Sequence, residues 1–558
     1  MNIPFSAEEI AAEDRRPKRK VAVLIGYAGT GYKGMQINHD EKTIEGDLFA
    51  AFVAAGAIQK MNADDPKKSS FVRCARTDKG VHAAGNVISL KLTVDDDEIV
   101  DKINRNLPEQ IRVWGIQRTN NAFNCYQACD SRWYEYLLPS YTLLPPHPQT
   151  YLGKKVIEAA KEKGVWDDVQ KSWADVKDYW DQVEKNDIQP ILAELDDKTR
   201  EEVLQKMHAE DVEENSNAQQ QEDGADKKRK ADDNEEPAAK KTKTEPSPTP
   251  ATDAIPSGTP TAALQDAVGE ETEAAAEPMQ GVQATADAHA PPADKPAEAA
   301  PAKPKYQPSP AEIALKKIKA AYVAAKRRYR TTPERIGQLQ AALDMYKGTN
   351  NFHNYTIQKK FNDPSAKRHI RSFEVNPTPI QIRDTEWLSL KVHGQSFMMH
   401  QIRKMVAMAV LTVRCAVPVE RIRQSYGPTR ISIPKAPGLG LWLERPVFES
   451  YSKKAQESFG REALNFDKYE KDIEEFKHRQ IYTRIWDTEE KEASFHVFIH
   501  QLDSFQTDYF LWVTAHGFDA AYEPKERYDP KQKPMMKALE RELVGDDEDA
   551  RDGGGDEG

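Results

Sequence analysis

The residues best suited to chemistry stand between Arg73 and Leu92, RCARTDKGVHAAGNVISLKL. A single acid, Asp78, lies in a turn-forming stretch between Arg76 and Lys79. His82 follows, and Gly80 and Gly85 free the backbone. Ile88, Leu90 and Leu92 then alternate with Ser89 and Lys91, which predicts a half-buried strand. A carboxylate held at a strand edge among cations suits nucleophilic or general-base work on an anionic polymer.

Two further constellations lie downstream. In GQSFMMHQIRK (Gly394–Lys404), Arg403 falls early in a helix expected from about Met399 to Val413. Ile402, Met405, Val406, Ala409, Val410 and Val413 form its buried stripe. A cation there opposes the helix dipole and calls for an acidic partner. In FNCYQACDSRWYEYLLP (Phe123–Pro139), Tyr134 and Tyr136 alternate on a strand, with Tyr136 reading as core.

Other patterns lead elsewhere. Gly29-Thr-Gly31-Tyr-Lys-Gly34 is a literal G-x-G-x-x-G after the strand Val21–Ile25. No apolar helical period follows until Ile44, so a dinucleotide turn is not expected. Cys74, Cys125, Cys129 and Cys415 are too few and scattered for a disulfide framework and fit a reducing compartment. Cys125 and Cys129 lack a matching Cys/His pair for zinc. No apolar run reaches the ~18 residues of a membrane span, and no apolar signal core opens the chain. A soluble intracellular protein is expected.

With 558 residues, the chain has room for two or three domains. The formal net charge of -11 argues against a nucleic-acid binder, but charge is segregated. His353 to Lys435 holds 14 Lys/Arg against 5 Asp/Glu, while Gly545 to Gly558 holds seven acids and one Arg.

The elements needed to position these residues are legible in outline. Thr43 caps a helix with Ile44, Leu48, Phe52 and Ala55 on one side. Ile99–Leu107 is a second helix, and Val113–Gln117 and Trp133–Leu138 are strands. A basic helix starts near Ser309, another spans Pro333 to Tyr346, and Leu388, Leu390 and Val392 mark a strand. A charged helix (Asp467–Gln480) and an aromatic strand (Tyr509–Val513) follow. The expected organisation is a disordered basic N-terminus (1–19), an α+β half (20–148), a charged helical insertion (149–212) and a disordered linker (213–308). A second α+β half (309–450), a C-terminal extension (451–544) and an acidic tail (545–558) complete it. The linker carries KKRK (Lys227–Lys230) and KKTK (Lys240–Lys243), a bipartite nuclear-import pattern.

The run Arg76-Thr77-Asp78-x-Gly80-Val81-His82-Ala83, with Gly85, resembles the catalytic loop of the TruA-type tRNA pseudouridine synthases. GQSFMMHQIRK resembles that family's second-domain motif. Gly438–Leu443 (GLGLWL) is similar to its third motif, and Gly348–Tyr355 (GTNNFHNY) to the segment opening its second domain. The likeness covers roughly 20–148 and 309–450. Bacterial members carry a basic residue where Tyr126 stands; the form here is closer to the eukaryotic nuclear branch.

The resemblance implies an α+β fold of two ferredoxin-like (RRM-like) halves. They would share a continuous, mostly antiparallel sheet, with helices on one side and a basic cleft. It implies isomerisation of uridine to pseudouridine without metal or cofactor. Asp78 would be the catalytic acid, Arg403 its partner, and Tyr134 the residue stacked on the base. Arg76, Lys79, His82, Tyr32, Gln36, His400, Lys404 and Leu441 would contact RNA. Expected partners are tRNA, small nuclear RNA and a nuclear import receptor, with no membrane; the protein would be a nuclear monomer. The alternative is a non-catalytic RNA-binding or RNA-folding protein on the same scaffold.

Overall fold

β-Branched and alternating runs form the strands of one mixed ten-stranded sheet in the computed structural model. The structure describes residues 5–38, 41–213, 308–357 and 359–520, with backbone alone for 207–213. The predicted linker core, the import pattern and the acidic tail lie outside the described residues.

The strands are β1 (Arg19–Tyr27), β2 (Val72–Arg73), β3 (His82–Leu92), β4 (Ile111–Arg118) and β5 (Ser131–Pro139). The later part of the chain adds β6 (Gly348–Asn351), β7 (Lys367–Val375), β8 (Ile380–Ile382), β9 (Thr385–Gly394) and β10 (Leu441–Val447). Their order is β4-β1-β3-β10-β5-β9-β7-β6, with β2 on β3 and β8 on β9. Of these pairings only β10 with β3 is parallel.

Two strands change sides. β5 belongs to the first part of the chain but pairs with β9, setting Tyr134 opposite Val392. β10 comes from the far end and enters between β3 and β5, setting Trp442 opposite both His82 and Glu135. The start of β3, just after the Asp78 loop, is thereby brought beside β10 and β5.

The Ile44–Ala54 helix is capped as expected, with Thr43 Oγ1 accepting from Gly46 N at 3.2 Å. The Gln401–Arg414 helix corrects the expected one-sided stripe. Every residue except Arg403 is buried. Arg414 is sealed by Asp503 of the C-terminal extension (Nη1–Oδ1 2.6 Å) and donates through Nε to Leu144 O at 3.0 Å. A helix covered on all sides has no polar face for periodicity to report.

Three other expectations are corrected. The aromatic run Tyr509–Val513 forms a 3-10 turn (Asp508–Val513), capped by Thr507, in which Trp512 Nε1 donates to Ser432 O. The Phe510 and Trp512 rings are buried without a strand ladder, and Tyr509 is partly buried. The N-terminal stretch carries a helix, Ala7–Ala11, closed by a Ser6/Glu9 capping box. Helices do not keep to one side of the sheet. Tyr134 meets Phe397 on one face, whereas its neighbour Glu135, pointing the other way, meets Tyr482 of the extension. Phe476 lies edge-on to Trp114 at 5.3 Å, and a Cβ on Gly115 would stand 2.0 Å from Tyr469 Oη.

The helices of 151–206 are part of the core. Leu152, Val156 and Trp180 join the main cluster, and Val183, Ile188, Leu192 and Val203 pack with Ala311, Ala314, Leu315 and Ile318 of the Pro310–Arg328 helix. Fully buried Arg335 grips Asp175 through Nη2 (2.8 Å) and Nε (3.1 Å). The segments on either side of the undescribed stretch are thus packed together.

Candidate active site

The Asp78 loop is held by its backbone and by its neighbours' side chains. Asn86 of β3 clamps Ala75 from both sides, accepting from its N–H (3.3 Å) and donating to its carbonyl (3.0 Å). Asn86 Nδ2 also donates to Tyr27 Oη at 3.2 Å, and Tyr27 Oη lies 2.9 Å from Thr77 Oγ1. Val81 N closes the turn on Asp78 O at 3.1 Å, with Gly80 at φ +78°. Thr77 is buried, whereas the Asp78 side chain is 50% exposed. The loop therefore fixes everything around the acid and leaves the acid itself accessible.

The glycine run has its explanation here. A Cβ at Gly29 would stand 2.2 Å from Val81 O, and one at Gly34 (φ +116°) 3.1 Å from Thr77 O. These glycines let the chain after β1 pass against the back of the Asp78 loop, a task for bare backbone. Met35 N donates to Thr77 O at 3.2 Å along the same seam.

The second half supplies what faces the acid. His400 precedes the Gln401–Arg414 helix in the left-handed conformation (φ 61°, ψ 0°), and its Nδ1 lies 3.9 Å from Asp78 Oδ2. Three residues on, and so on the same side of the helix, is Arg403, the helix's one incompletely buried residue. Arg403 Nε donates to Ala436 O at 2.6 Å, and its Cζ would be 3.6 Å from a Cβ on Gly438. Gly438 of GLGLWL thus lies against the guanidinium, while Gly440 lets the chain pass close to Leu137 O, where a Cβ would stand at 2.4 Å.

Tyr134 stands mid-strand on β5, 9% exposed, across from Leu443 and Val392, with its ring edge-on to Phe397 at 5.3 Å. Leu441 is likewise 9% exposed, opposite Tyr136. Tyr136 is core: fully buried, it donates to Pro437 O at 2.6 Å, and burial drives its titration far above the ordinary range.

The expected RNA contacts divide. Lys79 and Gln36 are exposed and Arg76 half-buried. Three others are built into the fold. Tyr32 is buried, donating to Asp47 Oδ2 at 2.6 Å under Lys42. His82 is buried, its Nδ1 accepting from Gly29 N at 3.1 Å; burial, aided by the charge of Arg484, pushes its pKa down to about 4. Lys404 is 2% exposed. A motif position records a needed residue without saying whether it faces ligand or core.

Sequence reasoning missed Arg132. It lies two residues before Tyr134 on the same strand face, and that alternation was the available signal. Its Nη2 donates to Cys74 O (3.0 Å), at the stem of the Asp78 loop, and its Nη1 to Gln395 O (3.2 Å), in the loop leading to His400. One guanidinium thus braces both sides of the site. Glu45 was missed too: it is buried at the start of its helix, paired with Arg73 and accepting from Ile37 N at 2.9 Å.

Among the described residues, no group of three His, Cys, Asp or Glu is placed to hold a metal ion. No described helix is long and apolar enough to cross a membrane.

The arrangement is an accessible carboxylate at the seam of two chain segments, faced by His400. A family model described as tRNA pseudouridine synthase matches residues 342–449. The chain is 42% identical over 503 residues to tRNA pseudouridine synthase 1 of Yarrowia lipolytica, covering 89% of this chain and 77% of that protein. It is 40% identical to tRNA pseudouridine synthase 1 of Saccharomyces cerevisiae, covering 88% and 73%. With the tRNA pseudouridine(27/28) synthase of the same yeast it shares 31% identity, covering 87% and 99%. An identity of this extent over most of both chains means that the protein belongs to the TruA-type tRNA pseudouridine synthase family.

Proposed function

We propose that Asp78 is the group through which this protein converts uridines of tRNA to pseudouridine. The protein is an isomerase: the C1'–N1 glycosidic bond breaks, the uracil turns, C5 bonds to C1', and the C5 proton is lost. The reading is supported above all by the exposed Asp78 carboxylate, carried on a loop that Asn86, Tyr27 and Thr77 hold in place, and faced by His400.

The target base must leave its stack, at a cost of a few kcal/mol. Phosphate contacts from cations such as Arg76 and Lys79, with exposed Gln36 beside them, offset it. Asp78 then works on the sugar side, by attack at C1' or by removing a proton to drive a glycal intermediate. Arg403, on the helix side shared with His400, orients the carboxylate. Tyr134 stacks on the turned base and assists removal of the C5 proton, with Leu441 packed close by.

The wider reading rests on the same scaffold. The strands group as two ferredoxin-like halves, roughly 20–148 and 309–450, that exchange β5 and β10. The extension after Glu449 covers a sheet face, which favours a monomer. The import pattern in 227–243 favours a nuclear enzyme recognised by an import receptor, with small nuclear RNA as a second substrate. The test is incubation with unmodified tRNA and mapping by carbodiimide-stop sequencing. Discrete new stops are expected; their absence with folded, tRNA-bound protein counts against the assignment.

A further inference from the structure

On the sheet face opposite Tyr134, β7 and the end of β9 present side chains that the isomerisation does not use. Strand alternation turns Trp133 of β5 and His393 of β9, which are paired across the strands, away from Tyr134. Their rings stack with centroids 4.2 Å apart and planes 15° apart, and both are partly exposed. Ser131 Oγ, 2.8 Å from His393 Nε2, holds the imidazole in place. On β7, Lys367, His369 and Arg371 are exposed on this same face, while Arg368 and Ile370 between them are buried. The register slips between Ile370 and Ser372, which stand opposite Gly394 and His393, so Arg371 is the extra residue of a bulge. A bulge re-aims a side chain, and this one brings a guanidinium toward the stack. Partial burial, and after it the charge of Arg371, pushes the His393 pKa down to about 4. The ring is neutral and offers its flat face rather than a charge.

The charges of this face are unbalanced. The C-terminal extension covers the same side of the sheet as far as Glu135, which Tyr482 meets at 3.5 Å. At its rim, Lys391 lies 3.6 Å from Glu444, and Arg445 3.9 Å from Asp467. Lys367 and Arg371 form no ion pair with any described residue. Alternate residues of a strand stand about 7 Å apart, close to the span between successive phosphates of an extended nucleic-acid strand. Rings beside a row of cations suit an unpaired strand, in which every base has a face to stack and every phosphate a charge to neutralise. An acidic peptide would engage the cations and leave the rings idle.

We propose that this face is a second RNA-docking surface, taking an unpaired stretch of RNA outside the segment that holds the target uridine. Trp133 and His393 stack a base, and Lys367 and Arg371 hold the phosphates beside it. Lying across the sheet from Tyr134, the surface adds affinity without touching the reacting base. It does not rest on the reading of Asp78.

The experiment measures, by anisotropy on the full chain, binding of a fluorescent oligoadenylate about twelve nucleotides long. Adenylate offers no target uridine to the Asp78 site. Lys367→Glu combined with Arg371→Glu should weaken binding about tenfold and flatten the log–log salt slope by about 1.4, two contacts at about 0.7 each. Trp133→Ala should weaken binding about tenfold, and Trp133→Phe should recover most of it, as stacking requires. On tRNA the charge-reversed pair should raise KM while kcat holds. Failure of the wild-type chain to bind oligoadenylate, unchanged affinity in the charge-reversed pair, or a preference for a polyglutamate peptide over oligoadenylate would each overturn the proposal. If Trp133→Ala is unstable, the exposed Lys367 and Arg371 still decide. A chain that binds oligoadenylate here but forms no pseudouridine counts against the Asp78 reading and leaves the docking surface standing.

Discussion

His400 Nδ1 lies 3.9 Å from Asp78 Oδ2, joining a residue that opens a helix of the second half to one in a loop of the first. His400 holds a left-handed backbone (φ 61°), which costs a non-glycine residue on the order of 1 kcal/mol. Five described non-glycine residues share that region, and among the five it is His400 that faces the carboxylate.

His400→Gly is accordingly expected to separate stability from function. The backbone strain is relieved, so urea stability should hold or rise by up to ~1 kcal/mol. Turnover should drop about a hundredfold, because a misplaced carboxylate loses the gain of orientation. Unchanged turnover would remove His400 from the site.

Arg403→Ala should lower kcat by about two orders of magnitude while the tRNA Kd changes much less. Arg403→Lys should rescue little, since an ammonium lacks the fork that orients a carboxylate. Equal losses in kcat and Kd, read by single-turnover kinetics and gel shift, would recast Arg403 as a phosphate contact.

His82 sets a pH dependence. Its folded pKa of about 4 lies below the unfolded 6.5, so the folded state favours the neutral ring. That contribution is complete above pH 6.5, is lost as pH falls toward 4, and amounts to about 3 kcal/mol. His393 and His496 are depressed as well and act with the same sign, whereas buried Glu489, raised to about 7, acts oppositely. The difference between wild type and His82→Gln isolates the term. Urea midpoints of the two should converge between pH 6.5 and 4, and parallel curves would show that His82 does not titrate there.

Much of the site was legible because it is local. The Asp78 loop, the Thr43 cap and the strand of Tyr134 are each specified within a few residues. Long-range burial was not. Nothing near His82, Tyr32 or Lys404 announces that later segments, or a turn at Gly29, will enclose them. The Gln401–Arg414 helix loses its polar face to elements far away, including Asp503. The exchange of β5 and β10 is likewise a property of pairing across the chain, and Arg132 matters because of where that exchange puts it.

Removing 213–307 should leave tRNA pseudouridine formation intact, since the helices on either side pack on each other. It should also shift a fluorescent fusion from nucleus to cytoplasm. A folded but inactive deletion protein would show that the segment takes part in the reaction.

The most direct test is Asp78→Ala assayed on unmodified tRNA in parallel for binding and for pseudouridine. Retained gel-shift affinity with no detectable pseudouridine is the predicted result. Turnover at any sizeable fraction of the wild-type rate would contradict the assignment of Asp78.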